Sequence, residues 1–305
     1  MHRIKNYALI SLAFIIILYA VAVANPGTVL SRKACSSWSL VKDQAFVMTH
    51  SQQDNNLKLP ANFSIQPGTA EQIPVLMYHY ITPQAYNDQP NNKSIITLEA
   101  FEEGMNYLHE QGYYTATMEE LEQYVLGKAP LPAKTVVITF DDGYQNNYIY
   151  AYPILKKYGF HATIFVIGSR IQPETSPFDP AKKSFLSFEE IKASSDVFQY
   201  HSHTYDLHQK GFKKCGLDYA SGFDTQNLEA DIAKMKEIGI DTPYFAYPFG
   251  EKSTQMVYSL QQNNYRMAFT VIQGFVKPGD SLMRLNRFTV TSATNMAELL
   301  QNGGL

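Results

Sequence analysis

Thr135-Val136-Val137-Ile138-Thr139-Phe140-Asp141-Asp142-Gly143 decides how the rest of this chain is read. The β-branched and aromatic residues from Thr135 to Phe140 predict a strand. It runs straight into two adjacent carboxylates, with a glycine that lets the chain turn. Adjacent side chains diverge there, so the two acids can hold different roles. One can ligate a cation while its neighbour, kept charged by that cation, serves as a base. Taken alone, the same three residues also make an ordinary turn with a helix cap.

Outward from this strand the pattern repeats. Ile73-Pro74-Val75-Leu76-Met77-Tyr78 is a short apolar run that predicts a buried strand. Thr97 is placed to cap a helix in which Phe101, Met105 and Leu108 recur at helical spacing before Gly112. A second helix is predicted over Met118 to Leu126, from the cap Thr117 with Glu120 three residues on. Further helices are predicted over 150–158, 187–193, 227–238 and 253–263, and strands over 162–167, 198–201, 244–247, 267–270 and 287–290. Strands alternating with helices form a parallel sheet with helical crossovers, and so many units predict an α/β chain folded as a (β/α) barrel. A doubly wound open sheet is the alternative. In both, the chemistry sits at the C-terminal ends of the strands, where Asp141 and Asp142 stand. No GxGxxG or Walker-type loop is present, which weakens a nucleotide-binding reading.

A second cluster follows the strand predicted at 198–201. His201-Ser202-His203-Thr204-Tyr205-Asp206-Leu207-His208 holds three of the chain's eight histidines. Two imidazoles and one carboxylate are a common catalytic zinc set, which leaves positions open for water and substrate. His201 reads as a packing or supporting residue, and His109 and His161 as ordinary ones.

Thr139-Phe140-Asp141-Asp142-Gly143, Ser202-His203-Thr204 with His208, and Tyr247-Pro248-Phe249-Gly250 together resemble the motifs of the polysaccharide N-deacetylases, the carbohydrate esterase family with the NodB-type homology domain. The resemblance covers roughly residues 73–291. It implies a distorted (β/α) barrel, a divalent metal held by Asp142, His203 and His208, and Asp141 as the catalytic base. Zn2+ is the default ion, and such a site also accepts Co2+ or Ni2+. The five-residue step between the histidines and the opening Pro74-Val75-Leu76-Met77-Tyr78-His79 resemble the subgroup that deacetylates poly-β-1,6-N-acetylglucosamine of biofilm matrices. In that subgroup the motif supplying the catalytic acid is displaced to the start of the domain, and His79 matches it.

Two departures stand out. The arginine usual shortly before Pro-Phe/Tyr-Gly is absent from Phe245-Ala246-Tyr247, which leaves its role vacant or to Arg284 or Arg287, and no histidine follows His208. The implied reaction is metal-assisted amide hydrolysis, with Asp141 taking the proton of a water and His79 protonating the leaving amine. The backbone N–H of Tyr144 is a candidate oxyanion donor, and Tyr78, Tyr144, Tyr247, Pro248 and Phe249 are candidates for substrate contact. Peptidoglycan N-acetylglucosamine, chitin oligomers and an acetyl ester on xylan are alternative substrates for the same chemistry. The missing arginine and late histidine also motivate a catalytically silent polysaccharide-binding protein of this fold. Glycoside hydrolysis is weaker, because adjacent acids on one turn cannot straddle a scissile bond.

Composition narrows the class only coarsely. With 45% hydrophobic and 17% charged residues among 305, the chain is globular rather than disordered or collagen-like. A net charge of −3 without a long basic run gives no footprint for nucleic acid. The 21 Tyr and 18 Phe suit a sugar-stacking surface and equally an ordinary core. Cys35 and Cys215 are the two cysteines, which leaves one disulfide or two free thiols open. His2, Arg3 and Lys5 precede an uncharged apolar stretch from Tyr7 to Ala24, read as a signal peptide or membrane anchor over 1–24. Residues 25–72 read as a polar linker and 73–305 as the catalytic domain. A monomer at the cell surface or outside the cell, touching membrane only through its N-terminal segment, is expected.

Overall fold

The computed structural model describes residue 46, residues 57–209 and residues 225–303. The predicted export segment at 1–24, most of the predicted linker and both cysteines lie outside the described residues. The chain divides into two units. Among the described residues the larger unit holds 57–208, 231–250 and 263–303, and the smaller holds 46, 209, 225–230 and 251–262.

In chain order the strands are β1 (Val75–Tyr78), β2 (Tyr80–Thr82), β3 (Ile95–Thr97), β4 (Tyr114–Thr115), β5 (Thr135–Asp142), β6 (Ala162–Val166), β7 (Phe198–Ser202), β8 (Tyr244–Ala246), β9 (Met267–Phe269) and β10 (Phe288–Thr289). The helices are α1 (Leu98–Glu110), α2 (Met118–Val125), α3 (Tyr152–Tyr158), α4 (Phe188–Ala193), α5 (Thr225–Glu237), α6 (Thr254–Gln262) and α7 (Met296–Asn302). The starts follow the chemistry anticipated for them. Thr97 Oγ1 accepts the Ala100 N–H at the head of α1, and Thr117 with Glu120 forms a capping box on α2. In the smaller unit, α6 buries Met256, Val257 and Leu260, and the Phe46 ring stands edge-on to Tyr258. No helix among the described residues is long and apolar enough to cross a membrane.

The main sheet of the larger unit is parallel throughout, in the order β10-β1-β5-β6-β7-β8-β9, with β4 beside the first residues of β5. From β1 to β9 the order never reverses, unlike a doubly wound sheet. Residues 285–289 link the two edges, since Leu285 bridges Phe269 of β9 while Phe288 and Thr289 pair with β1. The result is a curled parallel half-barrel, the distorted (β/α) barrel expected.

Strand alternation sorts the core into two faces. Leu76, Tyr78, Val136, Ile138, Phe140 and Ile164 face the helices and pack with Phe101, Met105 and Leu108 of α1. Val75, Val137, Phe165, Tyr244 and Phe269 face the inside of the curl, with Met118, Leu121 and Val125 of α2. This parity corrects the placement of Tyr78 in a substrate groove. Tyr78 shares the face of Leu76, is 1% exposed, and lies against the rings of Phe101 and Phe140 at 5.3 and 5.4 Å.

Residues 57–72, expected to be part of a linker, pack on the larger unit instead. The Leu57 N–H donates to Gly279 O, the Ala70 N–H donates to Leu131 O, and Leu57 packs against the inner apolar cluster. Single apolar anchors without a period suffice to dock this stretch.

Candidate active site

β5 carries both acids to the C-terminal end of the sheet. Asp141 continues the inward face of Val137 and Thr139. Asp142 would face the helices by alternation, but its φ of 74°, followed by 75° at Gly143, breaks the strand there. Aspartate tolerates this left-handed backbone better than most residues. Gly143 is needed for space as well, since a Cβ there would meet Val166 Cγ1 at 3.0 Å.

β7 delivers His203 immediately after its last residue, and Thr204, at φ 70°, turns the chain toward His208. Asp142 Oδ1 lies 3.8 Å from His203 Nε2 and 3.6 Å from His208 Nε2. The three ligand atoms all fall within 4.8 Å of one another. His203 Nδ1 donates to Ala246 O at 2.7 Å, which fixes the tautomer and leaves the Nε2 lone pair facing the cluster. Burial pushes the His203 imidazole below its ordinary pKa and takes His208 to about 4, helped by His203 beside it. Both rings are therefore neutral near pH 7, the form that ligates a metal. Asp142 Oδ1 itself is buried with no hydrogen-bond partner. Tetrahedral bonds of about 2.0–2.1 Å set ligands roughly 3.3 Å apart, so these residues fit a divalent cation with small side-chain shifts.

Asp141 is held differently. Arg287 grips it with two parallel bonds, Nη1 to Oδ1 at 2.7 Å and Nη2 to Oδ2 at 2.8 Å, while its Nε donates to Thr270 O at 2.9 Å. Both side chains are buried. Burial alone would raise the Asp141 carboxyl, but the guanidinium outweighs it and holds the group well below the usual carboxylate range. Of the two arginines left open by the sequence, Arg287 pairs with Asp141, and Arg284 is exposed. His79, just after β1, places Nε2 3.8 Å from Asp141 Oδ2.

The remaining candidates divide. Tyr144 stays at the site, its ring edge-on to Tyr80 and stacked on Phe185, each at 5.1 Å. Burial, and then the charge of Asp142 and a hydrogen bond to it, raise the Tyr144 hydroxyl pKa. Phe249 is partly exposed, with its ring 4.3 Å from that of His208. Tyr247 and Pro248 are corrected, because both are buried and the Tyr247 hydroxyl donates to Met283 O at 3.1 Å.

His201 packs on the inner face between the rings of Tyr244 and Phe165, and neither of its nitrogens has a hydrogen-bond partner. Burial pushes its pKa down to about 3 from 6.5. In that window the unfolded chain binds a proton at His201 that the folded chain refuses. The residue therefore withdraws stability as pH falls from 6.5 toward 3, and none above it. His201→Leu is expected to move the acid-unfolding midpoint, followed by circular dichroism, to lower pH. At neutral pH it should stabilise by up to about 1–3 kcal/mol, because an unpaired buried polar group is removed. An unchanged acid midpoint would refute this account of His201.

The chain is similar to known proteins. Residues 128–268 match the family model described as polysaccharide deacetylase. That span contains Asp141, Asp142, His203 and His208 but neither His79 nor Arg287. The chain is similar to a Bacillus subtilis (strain 168) protein named "Putative polysaccharide deacetylase YxkH", 30% identical over 225 residues that cover 72% of this chain and 71% of that one. It is also similar to the poly-beta-1,6-N-acetyl-D-glucosamine N-deacetylase of Staphylococcus epidermidis, 27% identical over 205 residues covering 65% and 68% of the two chains. Among solved structures, IcaB from Ammonifex degensii superposes with a TM-score of 0.62 at 28% identity, covering 78% of this chain and 99% of that one.

Proposed function

We propose that this chain, which belongs to the polysaccharide deacetylase family, is a metal-dependent hydrolase that removes N-acetyl groups from poly-β-1,6-N-acetyl-D-glucosamine outside the cytoplasmic membrane. The observation that carries this reading is a cation-ready Asp142–His203–His208 cluster beside a carboxylate, Asp141, that Arg287 keeps ionised. A Zn2+, Co2+ or Ni2+ ion bound there would polarise the acetamide carbonyl and lower the pKa of a water to about 7. The two bonds from Arg287 fix where Asp141 points, which places its carboxylate to accept the proton of a water. His79, with Nε2 3.8 Å from Asp141 Oδ2, is the candidate to hand a proton to the departing amine. The Tyr144 N–H is the candidate donor to the oxyanion.

The polymer reading draws on the name of the staphylococcal relative and on a neighbouring cavity of about 330 Å³. Tyr80, Tyr86, Asn87, Gln89 and Lys183 are among its lining residues, and Tyr80 touches Tyr144 of the site. Aromatic rings beside amides are suited to a sugar unit next to the one that reacts. The silent-binder alternative is motivated by the absent arginine and the absent late histidine; the Arg287–Asp141 pairing speaks against the first ground, and His79 beside Asp141 against the second.

The full-length protein is expected to release acetate from β-1,6-linked N-acetylglucosamine oligomers, to lose this on chelation, and to regain it with Zn2+. Acetate from chitin oligomers or peptidoglycan in place of these would reassign the substrate. Metal binding without acetate from any of them would leave a binding protein.

A further inference from the structure

Asp231 of α5 is not one of the clustered ligand residues, yet its side chain meets the loop that carries two of them. It is 7% exposed, and each of its oxygens takes one backbone N–H, Oδ1 from Tyr205 at 2.7 Å and Oδ2 from Asp206 at 2.9 Å. One turn further along the same helix, the Lys234 ammonium lies 5.3 Å from the centre of the Tyr205 ring. The opposite edge of the loop is tied to the end of β6 and the turn after it. His203 N–H donates to Val166 O at 2.9 Å, Gly168 N–H to Thr204 O at 3.0 Å, and Ser169 N–H to Tyr205 O at 2.7 Å. The Ser169 hydroxyl completes this edge by donating to Asp206 Oδ1 at 2.8 Å.

The loop is thus stretched between two anchors at the place where its backbone is least comfortable. Thr204 sits at φ 70°, a left-handed conformation that a β-branched residue keeps only when its surroundings enforce it. Four residues separate His203 from His208, so the second imidazole reaches Asp142 only if this turn is made. The β6 side alone does not satisfy the Tyr205 and Asp206 N–H groups, and both are served by one carboxylate from a helix elsewhere in the chain.

We propose that Asp231 is a positioning residue for the cation, holding the 203–208 loop in its ligand-ready turn before any ion arrives. This rests on reading Asp142, His203 and His208 as cation ligands. With the turn already made, the ordering cost of bringing His208 to Asp142 falls on folding and not on binding, which tightens metal affinity. The chemistry demands a carboxylate in particular. Asparagine has one oxygen for two N–H groups and would turn its own NH2 against the second, so it should preserve half the function. Alanine preserves none.

The test is Zn2+ affinity, measured by competition with a chromogenic chelator, on full-length wild type, Asp231→Asn, Asp231→Ala and Leu299→Ala. Leu299 is buried in α7 within the helix-side core, so its truncation lowers the melting temperature without touching the loop. Asp231→Ala is expected to bind Zn2+ about 10–100-fold more weakly and Asp231→Asn to fall between it and wild type, with Leu299→Ala unchanged. Should Asp231→Ala fold poorly, Asp231→Asn carries the test against Leu299→Ala at matched melting temperature. Affinities within about twofold of wild type for the Asp231 variants that fold overturn the proposal, as does an equal loss in Leu299→Ala. Wild type that binds no Zn2+ would instead remove the ligand reading, and this proposal with it.

Discussion

Asp141→Asn is expected to lower kcat on acetylated β-1,6-linked oligomers by about 10²–10⁴-fold while leaving Zn2+ stoichiometry intact. An amide cannot accept the proton of the attacking water. The ligand atoms belong to Asp142, His203 and His208, so the cation site keeps its donors. The substitution has a second consequence, because Arg287 is fully buried and would lose its counter-charge. Some loss of stability must accompany the loss of rate, and the rate has to be taken per folded, metal-loaded molecule. A chelator-sensitive rate within about tenfold of wild type would take the base role away from Asp141.

Much of this was legible in the sequence, and the exceptions have physical causes. The long β-branched run of β5 and the helix caps at Thr97 and Thr117 announce themselves locally, and their elements appear where expected. β2, β3 and β4, of three residues or fewer, are not among the strands that the sequence predicts. The acids and histidines could be read because each group is a short run at a strand end. Tyr78 was misplaced because its nearness to His79 in sequence says nothing about face, and one step along a strand reverses it. Arg287 could be named only as one of two options, since 146 residues separate it from Asp141 and closure of the sheet is what joins them. Asp231 gave no signal at all. On a helix with other acids nearby it looks like solvent-facing charge, and only the packing of α5 against the 203–208 loop distinguishes it.

Arg287→Met should destabilise the protein by about 3–5 kcal/mol near neutral pH, because removing one member of a buried ion pair strands the other. The pH dependence of that loss identifies the stranded charge. In wild type Asp141 is held below its ordinary pKa of 3.8, so the pair stabilises the fold above that value and is lost only as pH falls through the lower folded one. Without the guanidinium the largest influence opposing burial is gone, and the folded pKa should rise. The variant is then worst where the carboxylate must be charged, and its deficit relative to wild type should narrow as pH falls and Asp141 takes up a proton. Urea unfolding at several pH values reads this directly, and a deficit constant with pH would mean that Arg287 acts by packing against Phe165 and not by charge. The double variant Asp141→Asn/Arg287→Met separates the two functions of the pair. With neither charge left to strand, most of the stability should return, giving a strongly non-additive cycle. Activity should not return with it, because the carboxylate that Arg287 exists to aim is gone.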